Sequence, residues 1–232
     1  MKSMERAAIA SVLGRGKLKK ILLKKGFIAS NYQPDFVLCY GGDGTALYAE
    51  RIYPGVPKLL VKTTKIVHKY DCRPAQLEKV LEKVKRNELR IVKEPKLSAY
   101  FNKKSLVALN EVQIRACNPV RAVRFSVSAG NKRFRKLIGD GVIIATPFGS
   151  TGYYSSAGGK LFRKGMGIAF NNLHEKRIKP FVIPATQKVK VKIEREKAWL
   201  LFDNYEKFFE VHPGESVVIK VSKDVAKFIK VK

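Results

Sequence analysis

The chain has 232 residues, which is enough for one large domain or two smaller ones with a hydrophobic core. Its composition, 45% hydrophobic and 28% charged, is typical of a soluble globular protein and excludes a disordered one. The 47 Lys and Arg residues against 19 Asp and Glu give a net charge of +28. This charge attracts anions, whether nucleic acid, an anionic membrane or polyphosphate-bearing nucleotides, and we expect non-specific nucleic-acid binding.

The cysteines and histidines give no sign of a disulfide framework or a metal cluster. Cys39, Cys72 and Cys117 are far apart and lack the Cys-x-x-Cys spacing of redox and zinc sites, and the three histidines are equally scattered. The apolar run from Ala7 to Leu13 imitates a short signal sequence but lacks a cleavage site, and no stretch is long enough to span a bilayer. We therefore predict a cytoplasmic protein without a membrane partner.

The first part of the chain alternates helical and strand-like patterns. This alternation predicts an α/β N-terminal domain at residues 1–95, built on a parallel sheet. The predicted elements are a basic amphipathic helix over Lys17 to Lys25 that ends near Gly26, strands over Asp35 to Tyr40 and Val56 to Val61, a helix from Ala46 and a helix over Gln76 to Lys85.

Short strands with near-alternating patterns follow Pro95. They predict a β-rich, β-sandwich-like C-terminal domain at residues 96–232, whose last residues are free to return to the first domain. The predicted strands are Ser105 to Leu109, Val112 to Arg115, Val123 to Ser128, Phe134 to Ile138, Val142 to Ala145, Phe181 to Ile183, Lys188 to Ile193, Ala198 to Phe202 and Ser216 to Val221.

A glycine-rich turn, Gly41-Gly42-Asp43-Gly44-Thr45, connects a predicted strand to a predicted helix. Glycines at such a turn let the backbone approach a phosphate at the positive end of the helix. Because the charge of Asp43 would repel a phosphate, its presence suggests that it accepts a hydrogen bond or proton from a hydroxyl, or holds Mg²⁺. The alternative is a plain turn in which Asp43 bonds to the local backbone.

A second segment, Gly139 to Gly159, combines glycines with small hydroxylated residues on both sides of a short apolar strand. Such a loop offers many amides and hydroxyls to a polar nucleotide, and Tyr153 and Tyr154 could stack on a ring. A third segment, Asn110-Glu111, places an amide beside a carboxylate, a pair that can bridge the two hydroxyls of a ribose or orient the edge of an adenine. By itself this pair is no evidence for a binding site, and a surface turn is the better interpretation.

Taken in order, the three segments resemble the NAD kinase family, which carries Gly-Gly-Asp-Gly-Thr, then Asn-Glu, then Gly-Asp-Gly followed by Thr-Pro-x-Gly-Ser-Thr-Ala-Tyr and Ser-Ala-Gly-Gly. The resemblance covers most of the chain from Asp35 onward. It implies an α/β domain on a β-sandwich-like domain, assembled as a homodimer or homotetramer. It also implies transfer of a phosphoryl group from ATP, or from inorganic polyphosphate, to the 2′-hydroxyl of the adenosine ribose of NAD, with Mg²⁺ held mainly through substrate phosphates.

The resemblance assigns a role to each matching residue. Asp43 matches the catalytic aspartate that serves as base. The phosphate-binding turn corresponds to Gly41, Gly42, Gly44 and Thr45. Positions that bind NAD, some across a subunit interface, correspond to Asn110, Glu111, Asp140, Thr151, Gly152, Tyr153 and Ser156.

Three departures from the family pattern are visible. Residues Val61 to Tyr70 keep nothing of the usual Asn-x-Gly-x-x-Gly-Phe-Leu run, Gly152 replaces Ala, and Asp203-Asn204 replaces Asp-Gly. Two alternative functions therefore stay open beside that of an NAD kinase. The chain is then either a kinase of the same superfamily that acts on a lipid or nucleoside, or a non-catalytic relative that binds nucleotides or RNA.

Overall fold

The protein is described here by a computed structural model that covers residues 4–63, 72–175 and 177–231. The chain divides into two compact units. The N-terminal unit comprises Met1–Glu94 and Val225–Lys232, and the C-terminal unit comprises Pro95–Asp224. The sequence predicts domains at residues 1–95 and 96–232. In the structure, the last residues of the chain belong to the N-terminal unit.

The N-terminal unit contains a parallel sheet with the strand order β2, β1, β3, β4. Its strands are β1 (Arg6–Ala10), β2 (Ile28–Ala29), β3 (Phe36–Gly41) and β4 (Lys58–Lys62), and its helices are α1 (Arg15–Lys24), α2 (Asp43–Ile52) and α3 (Leu77–Lys85), with a 3₁₀ turn at Pro74–Gln76. The apolar run that imitates a signal sequence is thus largely a buried strand of this sheet. The α/β prediction for this part is confirmed.

Helix α2 begins at Asp43, three residues before the predicted start at Ala46. The residue pattern does not indicate this start, because Gly44 is a poor helix former and the first helical turn has no periodic apolar residue. Gly42, in an extended conformation, is the cap of the helix. The first turn of α2 therefore consists of the glycine-rich motif itself.

A buried ion pair fixes the other end of α2. The carboxylate of Glu50 pairs with Lys58 at the start of β4, and both side chains are buried. Lys58 Nζ also donates to the carbonyl of Tyr53 at 2.7 Å, and the amide of Gly55 donates to Glu50 Oε1 at 3.1 Å. These bonds close the loop between α2 and β4, so the helix that carries Asp43 is held at its end by a satisfied buried network.

The C-terminal unit consists of two antiparallel sheets that share one hydrophobic core, as predicted for a β-sandwich-like domain. One sheet contains the order β16, β13, β8, β9 and the hairpin β5–β6, and the other has the order β12, β11, β10, β7, β14, β15. The strands are β5 (Leu89–Phe101), β6 (Lys104–Ala108), β7 (Glu111–Ala116), β8 (Val123–Ala129), β9 (Lys132–Gly139), β10 (Gly141–Ala145), β11 (Met166–Asn171), β12 (Phe181–Ile183), β13 (Lys188–Arg195), β14 (Ala198–Phe202), β15 (Phe209–Val211) and β16 (Ser216–Val231). The first residues of β5, up to Glu94, and the last residues of β16, from Val225, belong to the N-terminal unit.

The nine strands predicted after Pro95 are all present, with ends that shift by a few residues or, for the last, extend to Val231. Two strands of the second sheet, β11 and β15, were not predicted. Five of the six residues of β11 are buried, so the strand shows no alternation of polar and apolar residues. Within the described residues, no helix is both long and apolar enough to cross a membrane.

Candidate functional site

The glycine-rich turn lies where the central parallel strand β3 ends and α2 begins. A Cβ on Gly41 would lie 2.2 Å from Thr45 Oγ1, so a larger residue here would force the Thr45 side chain to move. The amide of Thr45 donates to the carbonyl of Gly42 at 3.0 Å, which closes the first turn of the helix. The N-terminal end of α2 carries the positive end of the helix dipole, so the turn is suited to a phosphate group.

Asp43 places its carboxylate in this turn, at the first residue of α2. Its Oδ1 is buried and has no hydrogen-bond partner among the described residues. A buried carboxylate oxygen without a partner is costly in a folded protein unless a ligand supplies a donor. The local backbone bond that would make Asp43 a plain turn residue is thus not formed by this atom. The carboxylate is available to accept a hydrogen bond from a bound hydroxyl.

In the C-terminal unit, Asn110 lies in the short turn between β6 and β7, Glu111 is the first residue of β7, and Asp203 holds this turn. Asp203 Oδ2 accepts the amide of Leu109 at 2.8 Å, while Oδ1 accepts the amides of Asn110 at 2.6 Å and Glu111 at 3.2 Å. In return, the amide of Asp203 donates to the carbonyl of Glu111 at 3.0 Å. Three bonds to one carboxylate are charge-assisted, so the backbone of the turn is strongly fixed.

The loop after β10 is fastened to the same turn. Thr146 Oγ1 donates to the carbonyl of Leu109 at 2.6 Å and accepts the amide of Gly149 at 2.9 Å, and the amide of Thr146 donates to the carbonyl of Asn110 at 2.8 Å. Gly149 lies so close that a Cβ would be 2.0 Å from the Asn110 carbonyl oxygen. The threonine and the glycine of this loop therefore hold its backbone against Asn110 before any ligand binds.

Thr151 and Gly152 complete this cluster. A Cβ on Gly152 would lie 3.4 Å from Glu111 Oε2 and 3.6 Å from Asn110 Nδ2, so the Asn110 and Glu111 side chains border this glycine. Thr151 Oγ1 is buried and has no hydrogen-bond partner in the described part of the chain. The structure thus brings together four predicted NAD-binding residues, which combine an amide, a carboxylate, a hydroxyl and a glycine.

The two tyrosines that follow have different roles. Tyr153, in the short helix α4 (Tyr153–Ser156), is 55% exposed and free to stack on a ligand ring. Tyr154 is 1% exposed, and its ring packs edge-on against Phe162 with centroids 5.4 Å apart. Burial raises the pKa of the Tyr154 hydroxyl. The prediction that Tyr154 could stack on a ligand is therefore wrong, because its ring fills a small core cluster with Ile143.

Asp140 does not join the cluster within one chain. Strand β10 separates them: Gly141, next to Asp140, pairs with Arg115 at one end of β7, whereas Ala145 pairs with Glu111 at the other end. Four residue steps along a strand span about 13 Å. Asp140 instead accepts a hydrogen bond from Asn172 Nδ2 at 2.7 Å.

A cavity of about 400 Å³ lies beside Asp140 at this distant end. Its walls include the aromatic rings of Trp199 and Phe208, whose centroids are 5.1 Å apart, and the side chains of Arg115 and Cys117. The two residues next to Asp140, Gly139 and Gly141, have no space for a side chain. A Cβ on Gly141 would lie 1.9 Å from the Ile114 carbonyl oxygen, and the residue has φ +141°.

Sequence reasoning missed Asp203 and Thr146 as parts of the site. Both act on the backbone of the Asn110-Glu111 turn, one from 93 residues away in sequence and the other from 37. The only signal for Asp203 was its place in the family's Asp-Gly turn, and in the structure Asp203 itself has a φ of +48°. The departure at Val61 to Tyr70 falls mainly on residues 64–70, which lie outside the described residues.

A glycine-rich turn after a parallel strand and a polar loop on an antiparallel sandwich are features of proteins that bind nucleotides and transfer phosphate. The family model described as the ATP-NAD kinase C-terminal domain matches residues 109–231. An NAD kinase of Sulfurisphaera tokodaii is 37% identical over 182 residues, which cover 76% of this chain and 71% of that protein. The NAD kinase of Thermoplasma volcanium is 30% identical over 200 residues, with 84% and 73% covered.

The fold agrees with these sequence matches. The crystal structure of an NAD kinase from Archaeoglobus fulgidus in complex with ATP has a TM-score of 0.84 and covers 99% of this chain and 94% of that one. At 23% identity this likeness is one of fold. The chain belongs to the NAD kinase family and is a kinase.

Proposed function

We propose that the chain transfers a phosphoryl group from ATP, or from inorganic polyphosphate, to the 2′-hydroxyl of the adenosine ribose of NAD and so forms NADP. Membership of the NAD kinase family supports the acceptor. The observation that carries the mechanism is the buried Asp43 Oδ1, which has no hydrogen-bond partner among the described residues. A kinase acting on an alcohol needs such an acceptor for the proton of the attacking hydroxyl.

In the proposed mechanism, Asp43 accepts the ribose hydroxyl proton as that oxygen attacks the terminal phosphorus of the donor. The bond from phosphorus to the leaving phosphate oxygen breaks, and the shortened donor carries away the negative charge. Gly41, Gly42, Gly44 and Thr45 hold the donor phosphates at the N-terminal end of α2, where the helix dipole favours negative charge. Phosphoryl transfer depends mainly on such positioning and charge neutralisation.

The residues fit Mg²⁺ bound through substrate phosphates. Among the described residues, no group of three or more His, Cys, Asp or Glu side chains is arranged to hold a metal. Asp43 offers one carboxylate, and Mg²⁺ in kinases usually binds one or two carboxylates and completes its shell with water and substrate phosphates. When bound, the cation would neutralise charge on the donor phosphates.

The acceptor is held by the cluster in the C-terminal unit. Asn110 and Glu111 bind the hydroxyls of the adenosine ribose, Thr151 donates its hydroxyl, and Tyr153 contacts a ring. Gly152 leaves room for the same nucleotide, and the hydroxyl of Ser156 hydrogen-bonds to it. Asp140 lies at the far end of β10, so we propose a homodimer or homotetramer in which Asp140 contacts the NAD of another subunit.

The decisive experiment measures NADP formation from NAD with Mg²⁺, comparing ATP with polyphosphate as donor. The wild type should form NADP with at least one donor. Asp43→Asn should bind NAD as before, by calorimetry, while its turnover falls by about 10²–10⁴-fold. Asp224→Asn, at an exposed aspartate, serves as the control and should keep wild-type turnover.

Two outcomes would contradict the proposal. Unchanged turnover in Asp43→Asn would remove Asp43 from the chemistry. Folded protein that binds nucleotide but forms no NADP with either donor would exclude NAD as acceptor, and nucleosides and lipids would then be tested as acceptors. The cytoplasmic location stays a prediction.

A further inference from the structure

One face of the first sheet in the C-terminal unit carries a dense set of cations. Strands β8, β9, β13 and the first residues of β16 alternate between core and solvent, so that one set of side chains fills the core and the other is exposed. The exposed cations, called here the basic sheet face, are Arg124, Arg133, Arg135, Lys136, Lys188, Lys190, Lys192 and Lys220.

The register of the strands places these cations in rows. Lys188, Lys190 and Lys192 follow one another on β13, at intervals of about 6.6–6.8 Å for alternate residues of a strand. Lys188 pairs directly with Lys220 on β16, and Arg133 on β9 pairs with Ser128 on β8. The rows lie side by side about 4.8 Å apart, so the positive charges form a continuous flat surface.

Carboxylates hardly neutralise this surface. In the paired stretches of the four strands, Glu194 is the one acidic residue on the face, and its Oε1 accepts the hydroxyl of Ser126. None of the five lysines of the face forms an ion pair with a carboxylate among the described residues. The facing pair Lys188 and Lys220 is unfavourable, since like charges directly opposite each other weaken a sheet. A bound polyanion would remove this repulsion.

We infer that the basic sheet face binds single-stranded nucleic acid through its phosphate backbone. A flat row of lysines contacts successive phosphates of an extended strand, whereas a duplex, being a cylinder, meets a flat surface along a narrow line. Tyr100 supplies an aromatic surface at the edge of the face, where Lys220 Nζ lies 4.7 Å from the ring centroid and the ring is 40% exposed. Bases stack on such rings without regard to sequence.

An anionic membrane is a poorer partner for this surface. Membrane-surface binding requires apolar side chains that enter the acyl boundary beside the cations. The large exposed apolar residues of the described chain include Val120, Leu161, Val182 and Phe208, but none of these lies on β8, β9, β13 or β16. Electrostatic attraction without apolar anchors favours a water-soluble polyanion.

The test measures the binding of a fluorescein-labelled 20-nucleotide single-stranded RNA by anisotropy at several salt concentrations. The test variant replaces Lys188, Lys190, Lys192 and Lys220 with glutamine. The matched control makes the same four-charge change on α1, at the exposed Lys17, Lys19, Lys20 and Lys24. Circular dichroism and NADP formation establish that each variant is folded.

The test variant should bind RNA at least about tenfold more weakly at low salt, and the slope of log K against log salt should fall by up to about 3. The control should lose less than about threefold. Equal losses in the two variants would show that the net charge acts diffusely and would overturn the inference. The inference would also be overturned if this face bound a duplex of the same length, inorganic polyphosphate or phosphatidylserine vesicles more tightly than it binds the single-stranded RNA.

Discussion

Asp203 and Asn110 are joined by a hydrogen bond of 2.6 Å from the Asn110 amide to a carboxylate oxygen of Asp203. The same carboxylate accepts the amides of Leu109 and Glu111. Asp203 thus fixes the backbone of the turn that carries Asn110 and Glu111, the pair proposed to bind the adenosine ribose. We therefore propose that Asp203 is a positioning residue for NAD.

Replacing Asp203 with asparagine should weaken NAD binding more than catalysis. The amide nitrogen of asparagine cannot accept the amide of Leu109 at 2.8 Å, and the charge on the remaining bonds is lost. We expect the free energy of unfolding to fall by about 2–3 kcal/mol and the KM for NAD to rise about tenfold, with little change in the KM for the donor. Steady-state kinetics and urea unfolding measure both effects.

Glu206→Gln, an exposed change in the same loop, should leave both KM values as they are. A higher KM for the donor with an unchanged KM for NAD would show that Asp203 acts elsewhere.

The glycines at 149 and 152 should respond differently to alanine. A Cβ at Gly149 meets the backbone of Asn110 at 2.0 Å, and backbone atoms cannot move aside cheaply. Gly149→Ala should therefore displace the turn, destabilise the protein and raise the KM for NAD. At Gly152 the nearest atom, the Gly149 carbonyl oxygen, lies 3.3 Å away, so Gly152→Ala needs a shift of a few tenths of an ångström.

Because the family usually carries alanine at this second position, Gly152→Ala should keep the KM within about threefold of the wild type. Thermal unfolding and NADP formation compare the pair. Equal losses in the two variants would mean that the close approach of Gly149 to Asn110 does not shape the site.

Mixing two inactive variants should restore activity if Asp140 serves the NAD site of another subunit. In a mixed dimer of Asp43→Asn and Asp140→Asn, one site lacks both aspartates and the other has both. Random exchange of subunits in a symmetric dimer should return about a quarter of the wild-type activity. The measurement is NADP formation after the two variants are unfolded and refolded together, with separately refolded variants as the control.

An absence of recovery, in a mixture shown by mass spectrometry to contain mixed dimers, would place Asp43 and Asp140 in sites of the same chain or remove Asp140 from catalysis.

The cysteines should differ in reactivity. Burial raises the pKa of the Cys39 thiol to about 12, although Lys58 partly opposes this effect. Since the thiolate is the reactive form, Cys39 should resist alkylation by iodoacetamide at pH 8 in the folded protein, while the partly exposed Cys117 reacts. Mass spectrometry of the digested protein locates the label, and labelling of all three thiols in urea is the control.

The same shift predicts a pH dependence of stability. The folded protein favours the neutral thiol, so its pKa lies above the unfolded value of 9.0. This contribution to stability is complete below pH 9 and is lost as the pH rises towards about 12. Cys39→Ala should therefore lose less stability than the wild type between pH 9 and pH 11. If the free energy of unfolding of the two proteins fell in parallel over this pH range, the raised pKa of Cys39 would be contradicted.

The sequence by itself determined the class of fold, because hydrophobic periodicity is a local property. Alternation on β13 and helical spacing on α3 identify these elements from their own residues. The sequence also placed Asp43 in the glycine-rich turn proposed to bind phosphate, since a strand, glycines and a helix adjoin within a few residues. Strand β11 was not visible in this way, because a strand buried on both faces shows no alternation.

Only the tertiary structure decided which of the predicted site residues meet. Thr151 and Gly152 join Asn110 and Glu111 because β10 and β7 pair in an antiparallel register, which brings residues some 40 positions apart to one end of the sheet. The same register carries Asp140 to the opposite end. Asp203 entered the site through backbone hydrogen bonds that depend on the pairing of β14 with β7. Long-range pairing is a property of the whole chain, and no local pattern encodes it.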